Sequence, residues 1–150
     1  MILDERNEFC DATALNTGGA ASYLIGDVID LGATTQDIGT GEDLYLVIQV
    51  DTPVDSASDN TVQQFHLCSD AQAAIAVDGS ATYHFSTGAL AQAAIDAAGD
   101  LIAAVRLPSG NYERYLGIVH TTSVAAATAG KINAFLTKDI SKWKAYPDAI

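Results

Sequence analysis

The side chains best able to do chemistry in this sequence fall in a few short stretches. His66 and Cys68 alternate along "VQQFHLCS", and His84 stands in "ATYHFS". Imidazole nitrogen and thiolate sulfur are ligands for zinc and related ions. If the two stretches were neighbouring strands in register, the three residues could share a metal. Buried Cys and partly buried His are also common without one, so the spacing leaves both readings open. "YERY" sets Glu113 and Arg114 between Tyr112 and Tyr115. That is an acid–base cluster, a recognition patch or the decoration of a strand. "DTPVDSASDN" gathers Asp51, Asp55 and Asp59. Oxygen-rich loops hold calcium, but this spacing is not that of an EF-hand, and an ordinary polar turn accounts for it.

Other catalytic patterns are missing. No G-x-S-x-G elbow is present. "GTGEDL" has Leu44 where a dinucleotide fingerprint needs its third glycine, and "AGKI" lacks the glycine and the Ser or Thr of a phosphate loop. The H-x-H pair followed by Glu that marks cupin metalloenzymes does not occur.

The elements that must position these residues have a period of two. "LYLVIQV" alternates Leu44, Leu46, Ile48 and Val50 with Tyr45, Val47 and Gln49, which predicts a strand buried on both faces. "TVQQFHLCS", "ATYHFS", "DLIAAVRL", "YERYLGIVH", "KINAFLT" and the shorter "GDVIDLG" behave alike. Turn-forming clusters separate them: "GTGED", "DTPVDSASDN", "VDGS", "PSGN" and "TAG". The expectation is an all-β jelly roll or β-sandwich of about eight short antiparallel strands. "ALAQAAIDAAG" breaks the pattern; it is either a short helix capped by Thr87 and ended by Gly99, or an irregular loop. "PSGN" predicts a hairpin between "DLIAAVRL" and "YERYLGIVH". On its second strand Tyr112, Arg114, Leu116, Ile118 and His120 face one way, and Glu113, Tyr115, Gly117 and Val119 the other. Glu113 and Arg114 are then not a side-by-side pair, though Glu113 could meet Arg106 across the hairpin.

The 150 residues fit one domain, 1–150, with no internal linker or repeat. Its charge is uneven. Residues 1–100 carry sixteen acids against Arg6, whereas residues 101–150 carry six bases against Glu113, Asp139 and Asp148. An acidic body argues against nucleic acid as a partner, since phosphate contacts need clustered Lys and Arg. No window approaches the ~20 apolar residues of a membrane helix. The N-terminus meets Asp4, Glu5 and Glu8 at once, unlike a signal peptide. Cys10 and Cys68 are therefore expected as free thiols in a reducing compartment. At the other end, "SKWKAYPDAI" interleaves Lys142, Trp143, Lys144 and Tyr146, with Lys138 just upstream. Two extended arms are expected, 1–17 and 138–150. The second is either a docking arm or a segment folded back on its own domain.

Specific runs go further than composition. "DERNEFCDATALNTG", "GDVIDLG", "LYLVIQV", "LPSGNYERYLGI", "INAFLT" and "WKAYPDA" resemble the capsid cement protein family of tailed bacteriophages, typified by the cement protein of a Bordetella podophage. The likeness runs in order from about Asp4 to Ala149 and is weakest from Asp51 to Ala98. It implies a jelly roll with a structural role and no catalytic residues; no cofactor is expected, and no metal, since no complete ligand set surrounds His66, Cys68 and His84. It implies a homodimer that binds the outside of an HK97-type shell and reinforces its major capsid protein, assembled in the host cytoplasm. The likeness transfers no contact residues; Trp143, Lys142, Lys144, Tyr146 and Lys138 are the capsid contacts expected from the tail's own composition. Two other classes stay open: a glycan- or host-binding decoration module, and a metal-dependent jelly-roll enzyme.

Overall fold

The alternating runs form strands, except that "YERYLGIVH" is interrupted at Glu113 and Arg114, so Tyr112 and Arg114 do not share a strand face as expected. In a computed structural model, which describes residues 4–15, 18–33, 36–38, 41 and 43–140, the strands are β1 (Glu8–Ala14), β2 (Ser22–Asp30), β3 (Gln36–Ile38), β4 (Tyr45–Ser56), β5 (Val62–Asp70), β6 (Thr82–Ser86), β7 (Leu90–Ala91), β8 (Leu101–Arg106), β9 (Gly110–Tyr112), β10 (Tyr115–Ser123) and β11 (Ala127–Thr137). One sheet has the order β1-β11-β4-β8, and the other β2-β10-β5-β6 with β7 beside β5. β3 and β9 form a separate ribbon. β10 and β11 pair with β5 and β4 on one side and with β2 and β1 on the other, all antiparallel. This is a double-stranded ribbon rolled into two facing sheets, the jelly-roll form of the β-sandwich. Eight strands make up the roll, and β3, β7 and β9 are short additions.

The core lies between the sheets because one face of each strand is apolar. Leu46, Ile48 and Val50 of β4 and Ile132, Ala134 and Leu136 of β11 meet Phe65 and Leu67 of β5 and Leu116 and Ile118 of β10. Val47 and Gln49 on the opposite face of β4 are buried too, as the unbroken apolar run predicts. β1 passes so close to β2 that a Cβ on Gly26 would stand 2.0 Å from the Phe9 carbonyl oxygen. Gly26 also has φ +66°, so no other residue fits there.

A second, smaller core covers the outer face of the other sheet. The segment 71–81 folds over it and inserts Ile75 and Ala81 against Cys68 and Val119, with Leu24 and Val28 alongside. Gly117 leaves the space: a Cβ there would lie 2.7 Å from the Ile75 side chain. Asp70 clamps the segment, accepting from the Gln72 and Ala76 amides at 3.1 and 3.0 Å. These bonds hold its carboxyl below the usual range.

Several expectations are corrected. "PSGN" does not close a hairpin, because β8 pairs with β4 in one sheet and β10 lies between β2 and β5 in the other. The connecting residues Leu107 and Tyr112 are both buried in the core, so the chain crosses the sandwich instead of turning back. Tyr112 braces the crossing by donating to the Pro108 carbonyl at 2.6 Å. "ALAQAAIDAAG" forms only a 3-10 turn at Gln92–Ala94. Its backbone is bound elsewhere: Val54 donates to the Ile95 carbonyl, and Gly99 to that of Val50. Thr87 caps nothing there; its hydroxyl accepts from the Phe65 amide. β4 continues through Ser56, so Asp51 to Ser56 of the expected "DTPVDSASDN" turn is strand. Residues 8–14 of the expected N-terminal arm are β1, paired with β11 and burying Phe9 and Cys10.

Ile75→Ala removes the plug of the second core. Buried Ile→Ala changes cost about 2–5 kcal/mol, and a loss in that range, with an unchanged denaturant slope, is expected from urea unfolding. A loss under about 0.5 kcal/mol, the usual range for surface changes, would show that segment 71–81 is not part of the core.

Candidate functional site

The register between β5 and β6 decides where the histidines go. His66 pairs with Ser86 and Leu67 with Phe85, then the register slips and Cys68 pairs with Tyr83. The slip falls at His84 and turns its ring toward Ser69, whose Oγ lies 2.7 Å from Nε2. The same hydroxyl accepts from the Glu113 amide at 3.1 Å and stands 3.5 Å from its carboxylate. The His84 ring stacks on Tyr112, with centroids 3.9 Å apart. Burial lowers the His84 pKa, and Glu113 acts against that shift.

Serine, histidine and glutamate together invite comparison with a hydrolase triad, but the roles do not match. In a triad the acid orients the imidazole; here the carboxylate faces the serine. Ser69 has no exposed surface, so it cannot meet a substrate. The cluster is a joint instead. It fastens the crossing segment to β5 and β6. Glu113 is thus engaged with Ser69, not with Arg106. Arg106 pairs with Asp43 at 2.8 Å.

His66 and Cys68 lie on the other face of β5. His66 meets the Tyr83 ring edge-on, and Cys68 belongs to the second core. The three candidate ligands therefore do not converge, and among the described residues no group of three or more His, Cys, Asp or Glu is placed to hold a metal. Asp51 and Asp55 are taken up locally: Asp51 accepts from Thr52, and Asp55 from Ser56 and Gln92. Cys10 and Cys68 are free and buried, and burial pushes both thiols up to about 12.

His120 is the remaining histidine, fully buried and stacked on Phe65. Its Nε2 bonds to the Gln63 side-chain oxygen, an acceptor, so Nε2 carries the hydrogen. Nδ1 then has no partner. Burial, with a smaller repulsion from His66, pushes its pKa down to about 4.

The surface is organised by charge. Arg114 grips Asp30 with two bonds of 2.9 and 2.8 Å and covers the Tyr115 ring. The guanidinium and the Gly32 amide hold the Asp30 carboxyl at about 2. Beside this pair runs an open groove of about 610 Å³ lined by Glu5, Arg6, Glu8, Asp27, Val28, Ile29 and Asp30. Burial, and repulsion by Asp11 and Glu5, raise the pKa of Glu8. Of the residues expected to contact a capsid, Lys138 is exposed directly after β11. Lys142, Trp143, Lys144 and Tyr146 lie outside the described residues.

The family model Bbp16 matches residues 9–136, nearly the whole sandwich. The chain belongs to the Bbp16 family. Bbp16 is a Bordetella phage protein, so the Bbp16 family is phage-related. No curated protein matches the chain at a significant level. The Bbp16 match ends at Leu136, one residue before the end of β11, so Lys138 and the tail residues lie beyond it.

The buried His120 makes stability depend on pH. Neutral in the fold with a pKa near 4, it titrates near ~6.5 when unfolded. The unfolded chain takes the proton first, so this contribution is complete above about pH 6.5 and is lost as pH falls toward 4. About 3 kcal/mol is at stake. Urea unfolding between pH 7 and 4 should show a falling stability, and His120→Gln should flatten it. An equally steep profile in the variant would place the dependence elsewhere.

Proposed function

We propose that this Bbp16-family protein is a capsid cement protein of a tailed phage. It binds the outer surface of the head and ties together neighbouring subunits of an HK97-type major capsid protein. It does so as a homodimer, without catalysis, cofactor or nucleic acid. The observation that carries this reading is the family match across the sandwich of a phage-related family. The runs that resemble cement proteins, such as "EFCDATALNTG" and "YERYLG", fall on β1 and at the crossing into β10. The interior supports a structural role as well. Ser69, His84 and Glu113 are used to lock one segment to another, and the buried Ser69 has no route to a substrate. An acidic body with formal net charge −12 favours dispersal before assembly.

Attachment to the shell is assigned to the tail. Trp143 is the anchor, Tyr146 follows it three residues on in the sequence, and Lys138, Lys142 and Lys144 steer it toward an acidic surface. Buried aromatic anchors can cost ~2–4 kcal/mol on truncation, whereas rim charges chiefly alter association rate and salt dependence.

Co-sedimentation with shells lacking the protein tests this. The parent should pellet with them. Trp143→Ala should stay in the supernatant at any ionic strength, and Lys142→Glu with Lys144→Glu should weaken binding mainly at low salt. Both should melt like the parent. Normal sedimentation of Trp143→Ala refutes the anchor, and a parent that never pellets refutes the cement role. A reconstruction of decorated shells should show paired copies; isolated ones would refute the dimer.

A further inference from the structure

The turn between β10 and β11 is built in a way its own stability does not require. The Ala125 amide donates to the Ser123 carbonyl at 2.9 Å, and Val124 between them has φ +74°. A two-residue hydrogen bond around a positive φ is the rare, strained form of γ-turn. A β-branched residue at positive φ is a true outlier, and glycine would hold the same turn without the clash. Among the described residues, the strained residue is also the most exposed of the large apolar side chains, at 68%.

The turn around it is tied down. The Thr122 hydroxyl donates to the Ala125 carbonyl at 2.8 Å. The Ala57 amide donates to the Ala126 carbonyl at 3.2 Å. On the preceding strand, the Thr122 amide donates to the Ala21 carbonyl at 3.0 Å. Val124 is thus an apolar knob held rigidly in water. A strained conformation that the surroundings over-determine is a pointer to function, and a pre-organised side chain loses little freedom on binding.

We infer that Val124 is a contact residue, inserting into an apolar pocket of the shell subunit; this rests on the cement role proposed above. Charge selects the partner. The described connecting residues at this end of the sandwich, 15, 18–21, 57–61, 87–100 and 124–126, carry Asp59, Asp96 and Asp100 and no Lys or Arg. Two such ends would repel each other, which disfavours a second copy. The pocket that receives Val124 has a neutral or cationic rim.

The test compares the parent, Val124→Gly and Val77→Ser by equilibrium binding to shells lacking the protein. Val77 is a control, an exposed apolar residue on the segment that covers the second sheet. Val124→Gly should bind at least tenfold more weakly with an undiminished melting temperature, and Val77→Ser should bind like the parent. If the parent binds and Val124→Gly binds within twofold of it, the knob is refuted and the cement role stands. If the parent does not bind, both fall. A large drop in melting temperature for Val124→Gly would make Val124 a structural residue. A lower mass for the free Val124→Gly variant than for the free parent in sedimentation equilibrium would make a second copy the occupant. Either result overturns the inference.

Discussion

The structure depends on the central pair of β5 and β10 being buried on both faces. Their inner faces carry Phe65, Leu67, Leu116 and Ile118 into the main core, and their outer faces carry Cys68 and Val119 into the second. Burying a polar group unbonded on either face costs roughly 1–3 kcal/mol; Nδ1 of His66 and of His120 bear that cost, while other polar side chains of the pair are bonded. This constraint explains the local architecture. Gln63 meets His120 across the pair, Ser69 gathers His84 and Glu113, and Gly117 is small because Ile75 lies above it.

The same constraint shapes what the protein can do. Side chains that are reactive in water are here neutral, enclosed or committed. The two thiols titrate near 12, His120 near 4, and Ser69 is sealed beneath the crossing segment.

Charge follows a similar logic. Along the chain the acids and bases are segregated, but folding mixes them. Arg106 and Arg114, from the basic part, bind Asp43 and Asp30 from the acidic part. The groove beside β2 is lined by Glu5, Glu8, Asp27 and Asp30 with Arg6 among them, and of its carboxylates Asp30 is bound by Arg114.

Alternation along the strands was legible in the sequence because it is a local property: side chains two apart share a face, whatever the partner strand. Hence the all-β class, seven of the eight strands of the roll, the double burial of β4, and the facing of Leu116, Ile118 and His120 could be read directly, whereas β1 was expected as part of an arm. The family likeness was legible in the same way, from runs such as "EFCDATALNTG". Pairing was not, because it is settled by energies between residues far apart in the chain. "PSGN" satisfies the local rules for a hairpin, yet burial of Leu107 and Tyr112 carries the chain across to the other sheet. His84 alternates with Tyr83 and Phe85 in the sequence, yet one slip of register against β5 separates it from His66 and Cys68 and delivers it to Ser69. The alanine-rich stretch gave up helix because β4 and β5 claim its backbone bonds. The strain at Val124 has no sequence signal at all, since φ at a turn is set by the two strands it must join.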